Sequence, residues 1–195
     1  TLPISYLKWD HNRHLVAAAD ARGQASYHRQ VAGAYALLAR LRRAWPGVEI
    51  EACAGGGGRI DAGIAQLCQR FWASDCIDAV SRVPIQRGFL SMMPAEVMGA
   101  HIGAAPAHST GRTQSFDFRA GVAVMGHFGV ELNLLDVRAG ERARLREWTD
   151  FYKAWRHLLF AENWTGACDD AVSWQANGAG ELWLLAVYRT APSAL

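Results

Sequence analysis

The sequence predicts an α/β fold whose character changes near its end. Three observations carry that prediction. Short apolar segments end in polar clusters, helix-length stretches separate them, and two short strands flank a glycine-rich turn at the close. At 195 residues, 51% of them hydrophobic, the chain can bury one sizeable core. The formal net charge is only +2 with both signs interspersed, so neither nucleic acid nor an anionic membrane is implied as a partner. No apolar run approaches the ~18 residues that span a bilayer, and no signal peptide is visible. The four cysteines form no CxxC pair and no dense pattern, which points to a reduced, cytoplasmic protein.

The first strand is expected over Ile4 to Asp10, with Tyr6, Lys8 and Asp10 on one face and Leu7 and Trp9 on the other. His28 to Trp45 reads as a helix, its apolar residues spaced by three or four, stopped by Pro46-Gly47. Val48 to Cys53 is a second strand, with Glu49, Glu51 and Cys53 sharing a face. The run Gly55 to Gly58 and a short helix over Ala62 to Gln69 follow. Arg70 to Asp75 reads as a third strand, Asp78 to Arg82 begins a helical turn, and Gly88 to Met93 is expected to be a fourth strand. Val122 to Leu132 is a further apolar segment. Glu141 to Phe160 is the clearest helix, with Leu145, Trp148, Tyr152, Trp155 and Leu159 on one face. Ala171 to Ala176 and Glu181 to Arg189 then flank Asn177-Gly178-Ala179-Gly180 as a hairpin. Alternating strands and helices that give way to a hairpin suggest part of an α/β barrel followed by the first strands of a β domain.

Three strands end in polar clusters: Lys8-Trp9-Asp10-His11-Asn12, Cys53 with the glycine run, and Ser74-Asp75-Cys76-Ile77-Asp78. Barrel enzymes keep their functional groups at the C-terminal ends of parallel strands. Two strand-end carboxylates, Asp10 and Asp75, fit a retaining glycosidase, in which one attacks the anomeric carbon and the other moves a proton across a gap of ~5–5.5 Å. Lys8, one of only two lysines, shares a face with Asp10 and favours its charged form. Apolar Phe71, Trp72 and Ile77 near Asp75 favour a protonated acid. The competing reading of the same spacing has both aspartates as helix caps. The glycine run lacks the Gly-Lys-Ser/Thr ending and the GxGxxG fingerprint, so it reads as a tight turn approaching a ligand rather than a nucleotide loop. Cys53 reads as a small residue packed beside a ligand. No histidine spacing suggests a metal; His101 and His108 are expected to order a loop. Asp78 is expected to support Arg82 or a backbone amide.

The order of Tyr6-Leu7-Lys8-Trp9-Asp10-His11-Asn12-Arg13, Glu51 to Asp61 and Phe71 to Ala79 resembles the bacterial α-galactosidases of glycoside hydrolase family 36. Ile85-Gln86, Met98 to Gly103, Gly111-Arg112 and Gly126 to Leu132 extend the resemblance to roughly residues 4 to 160. It implies about strands 4 to 8 of a (β/α)8 TIM barrel over 1–162, and the truncated start of a C-terminal β-sandwich domain over 163–195. It implies a retaining α-galactosidase acting on terminal α-galactosides such as melibiose and raffinose-type oligosaccharides. Asp10 would be the nucleophile and Asp75 the acid/base. Lys8, Asn12, Cys53 and the backbone near Gly55 would contact the galactose, and Arg59 and Asp61 would play structural parts. No metal or organic cofactor is implied, and the full-length form is expected to be a homo-oligomer.

Cys76 and Ile77 stand where the family usually has Asp or Asn and then Thr, so a changed leaving-group site is expected. The absence of the earlier barrel strands implies an inactive isolated chain. Within the enzyme class the rivals are galactosyl transfer and action on α-N-acetylgalactosaminides. Outside it, the rival is a non-catalytic piece that binds carbohydrate or completes a barrel with a partner chain.

Overall fold

In the computed structural model, which describes residues 3–10, 19–169 and 171–190, the chain divides into two units, Thr1–Trp72 and Ala73–Leu195. The first unit is built on three parallel strands, β1 (Tyr6–Asp10), β2 (Glu49–Cys53) and β3 (Arg70–Trp72), with β2 between the other two. That central place accounts for the burial of β2 on both faces. Ile50 and Ala52 are enclosed on one side, Glu51 and Cys53 on the other. The connecting helix α1 (Tyr27–Ala44) ends where expected: Arg42 and Arg43 occupy its last turn, where cations suit the helix dipole, and Pro46 follows. The short helix expected over Ala62 to Gln69 is a single 3-10 turn, Ile64–Gln66. Asp61 organises its start, accepting N–H bonds from Gly63 at 2.7 Å and Ile64 at 2.9 Å and the Tyr35 hydroxyl at 2.6 Å.

In the second unit the fourth strand is not at Gly88 to Met93. Residues 88–90 finish α2 (Ala79–Leu90), and Ser91 caps it through an N–H bond to the Arg87 carbonyl. The buried residues Ala79, Arg82, Val83, Gln86, Phe89 and Leu90 recur at three and four, so two polar side chains hid the helical period. The strand lies further on, as β4 (Met98–Gly103). Its Gly99, Ala100 and Gly103 have little strand propensity, which is why the sequence did not announce it. Met98, Ala100 and Ile102 are fully buried. Helix α3 (Phe116–Ala123), capped by Ser115 accepting from the Phe118 N–H, is a further element beyond those expected; it overlaps the start of the apolar segment, whose later part is β5 (His127–Glu131). β4 and β5 run parallel, with His101 opposite Gly129, whose missing side chain leaves room for the imidazole.

Helix α4 (Ala139–Leu159) sets the expected stripe against the core: Leu159 sits among Val83, Val122, Val124, Met125 and Tyr188, with Trp148 and Tyr152 packed on that cluster. An unforeseen strand β6 (Glu162–Ala167) then pairs antiparallel with β7 (Val172–Ala179), which pairs antiparallel with β8 (Leu182–Arg189). The hairpin turns at Gly180, which adopts φ 57°, so Asn177 and Gly178 belong to the strand. Asn177 mimics a turn signal but is fully buried, its amide donating to the Leu159 carbonyl at 2.8 Å.

Candidate active site

In the first unit the site residues stand on the inner rows of β1 and β2. The parallel register sets Lys8 opposite Glu51, and Asp10 opposite Cys53. Asp10 is exposed at the last position of β1, whereas Cys53 is 1% exposed at the last position of β2. Glu51 is 2% exposed, a carboxylate inside the sheet that must be compensated. The Tyr6 hydroxyl donates to Glu51 Oε2, and Lys8 Nζ lies 3.3 Å from Oε1. Burial, and then its bond to Glu51, hold the Tyr6 phenol protonated far above its ordinary range. Lys8 Nζ also lies 4.5 Å from the centre of the Trp72 ring, a cation–π contact that orients the ammonium. Arg70 completes the row, 3.2 Å from Glu49 and 5.3 Å from the Tyr6 ring centre. Acid and base thus alternate across the strands, and Lys8 is the member of the row nearest Asp10 in sequence.

Directly after Cys53 the chain turns back on itself. Gly55 and Gly56 take φ 57° and 76°, a left-handed region that favours glycine, and Gly58 N–H donates to the Ala54 carbonyl at 3.1 Å. A side chain at Gly58 would meet that carbonyl oxygen at 2.5 Å. The tight-turn reading of the glycines therefore holds. Arg59 Nη1 donates to the Cys53 carbonyl at 3.3 Å, fastening the turn to the end of β2. Asn12 lies outside the described residues.

Asp75 belongs to the second unit, exposed on the loop between residue 74 and helix α2. Beside it the Cys76 N–H donates to Ser74 Oγ at 3.1 Å, and Cys76 Sγ is 3.4 Å from Ser109 Oγ. Asp78 caps α2: Oδ1 accepts from the Val80 N–H at 3.3 Å, while Oδ2 accepts from Ser81 at 3.0 Å and from Arg112 at 2.6 Å. The expected backbone support is there, and Asp78 pairs besides with Arg112, thirty-four residues on. His101 Nδ1 is 3.2 Å from Glu131 Oε2, joining β4 to β5. Among the described residues, no group of three or more His, Cys, Asp or Glu side chains is placed to hold a metal ion.

The Melibiase family model matches residues 1–162. The chain belongs to the Melibiase family. An α-galactosidase of Escherichia coli is 46% identical to this Melibiase chain over 157 residues, which are 80% of this chain and 22% of the relative. α-Galactosidase AgaA of Geobacillus stearothermophilus is 38% identical over 162 residues, again 80% and 22% of the two lengths. A raffinose-bound variant of that GH36 enzyme superposes with a TM-score of 0.91 and 32% identity, over 96% of this chain and 27% of the solved one. The galactosidase domain of the α-galactosidase–sucrose kinase AgaSK superposes with a TM-score of 0.89 and 34% identity, over 98% and 27%. The fold class is accordingly α/β, a parallel half-barrel of five strands followed by an antiparallel sheet of three. The Melibiase chain spans about a quarter of the length of these relatives.

Two residues, Glu51 and Trp72, take their part from the geometry. Alternation puts Glu51 on the face of Cys53, and the strand register sets it opposite Lys8. The Trp72 ring also carries the Lys8 ammonium, a contact that no spacing in the sequence announces. Among the described residues, no helix is long and apolar enough to cross a membrane.

Proposed function

We propose that this chain supplies the catalytic half-barrel of a retaining α-galactosidase, hydrolysing terminal α-D-galactosides through a covalent galactosyl-enzyme intermediate. Asp10 attacks the anomeric carbon and the glycosidic oxygen departs with a proton from Asp75. Asp75 then takes a proton from water as the water cleaves the ester, returning the α configuration. Lys8, Asn12, Cys53 and the backbone at Gly55 bind the sugar; no metal or organic cofactor takes part. The observation that carries this reading is Asp10 at the end of β1, level with buried Cys53 and one inward position beyond the Lys8–Glu51 pair, in a chain matched by the Melibiase family over 1–162. Melibiose and raffinose-type oligosaccharides are the substrates to test first.

We place the half-barrel over 1–162 and the beginning of a C-terminal β domain over 163–195, in a cytoplasmic homo-oligomer at full length. The 195 residues alone are expected not to turn over an aryl α-galactoside. Robust hydrolysis by the isolated chain would overturn that part. In a polypeptide of the relatives' full length carrying this segment, Asp10→Ala lowers turnover by at least about 10⁴-fold. Added azide restores it with β-galactosyl azide as product. A rate near that of the unaltered protein would end the assignment.

A further inference from the structure

We propose that Arg82 is a positioning residue for Asp75, fixing the peptide unit on which that carboxylate rides. The inference rests on Asp75 being the proton donor. Arg82 is only 2% exposed, on the first turn of α2 that faces inward. Its Nη1 donates to the Ser74 carbonyl at 3.1 Å, its Nη2 to the Gly99 carbonyl of β4 at 2.8 Å, and its Nε meets Gln86 Oε1 at 3.4 Å. Gln86 in turn donates to the Val122 carbonyl at 3.1 Å. The Ser74 carbonyl shares one planar peptide unit with the Asp75 N–H, so holding the oxygen sets the direction in which the Asp75 backbone leaves.

The chemistry of the choice is informative. A buried guanidinium is costly, and burial draws its proton affinity down to about 10, with Cys76 and Glu131 opposing that drop; it stays charged at neutral pH. A leucine at this place would seal the core at lower cost. What the guanidinium adds is a flat, rigid fork that spans from the loop to the neighbouring strand. The other end of the loop is held independently, by Asp78 capping α2 and pairing with Arg112. Between these anchors Ile77 lies so close to Gly103 that a Cβ there would stand 2.4 Å from its Cδ1. An exposed carboxylate is thereby mounted on a loop clamped from below. Proton transfer is sensitive to such placement, an error of ~1 Å being worth about 10²-fold.

Leaving-group dependence separates positioning from general damage. In a polypeptide of the relatives' full length carrying this segment, Arg82→Met and Arg82→Lys are compared on melibiose and on 2,4-dinitrophenyl α-galactoside, whose leaving group departs without a proton. Arg82→Met is expected to lower kcat/KM for melibiose about 10²-fold and Arg82→Lys about tenfold, with both within about threefold on the dinitrophenyl substrate. Equal losses on both substrates, or no loss on melibiose, overturn the proposal. Should Arg82→Met fail to fold, Gln86→Met removes the acceptor of Arg82 Nε together with the bond to the Val122 carbonyl and carries the same test, with a smaller selective loss expected and a uniform or absent loss overturning it. Asp75→Asn is the reference. If it shows no leaving-group selectivity, the acid/base reading and this inference fall together. If it is selective and the Arg82 and Gln86 variants are not, only the positioning role is lost.

Discussion

The inner row of β1 and the Ser74–Asp78 loop each present an exposed aspartate, and they hold it in different ways. Asp10 inherits its direction from a parallel ladder: Lys8 stands opposite Glu51 and Asp10 opposite Cys53, so register does the placing and an ion pair neutralises the row behind it. Asp75 lies beyond the described limits of β3, and its loop is held by side chains reaching in from α2 and from residue 112. A ladder places a residue through backbone pairing. A loop needs side chains to anchor it.

Substitutions can sharpen or break that contrast. The largest effect is expected at Asp10, where Asp10→Ala removes the proposed nucleophile and leaves the ladder intact. Arg82→Met follows, its loss confined to substrates that need a proton. Next comes the row itself. Lys8→Met strands the Glu51 carboxylate inside the sheet and is expected to cost about 2 kcal/mol of stability. That is below the ~3–5 kcal/mol of a fully enclosed pair because the Lys8 side chain is 37% exposed. The Lys8→Met/Glu51→Gln double variant should recover part of that loss in denaturant titration. Strict additivity would mean the two do not act as a pair.

The smallest effect concerns Asp61. The Tyr35 hydroxyl, then the Ile64 and Gly63 N–H groups, hold its carboxyl below the usual range despite a partial burial that opposes them. A depressed carboxylate contributes stability that is fully present above its unfolded value and is lost as pH falls through the folded one. Asp61→Asn should therefore be less stable than the parent at pH 7, with the gap closing toward the acid end. A gap that stayed constant with pH would assign the effect to packing instead. Tyr35 reports the other side of the same bond, its phenol pushed up to about 12 by burial first and by Asp61 second.

The same contrast governs what could be read in advance. Asp10, Lys8, Cys53 and the glycine turn were legible because alternation and strand ends are local signals, and β1, β2, α1, α4 and the β7–β8 hairpin appeared for that reason. β4 escaped because glycine and alanine fill a strand whose burial comes from its neighbours. α2 was cut short because Arg82 and Gln86 occupy inward positions that a hydrophobic pattern expects to be apolar. Both are the residues that fasten the Asp75 loop, so the pattern failed where side chains work over long sequence distances. The partnership of Asp78 with Arg112 was hidden in the same way, since no spacing rule joins residues thirty-four apart.

Two amides on β7 bear on how the polypeptide can be trimmed. Gln175 donates to the Met125 carbonyl at 2.8 Å and to Asn177 at 2.9 Å, while Asn177 donates to the Leu159 carbonyl at 2.8 Å. The segment just past α3 and the last residue of α4 thus rely on a hairpin that follows them in the chain. Scissors placed after Glu162 would take away the donors of both oxygens and the Tyr188 ring that packs with Val83, Val122, Met125 and Leu159. Any minimal version of the half-barrel should carry the hairpin with it.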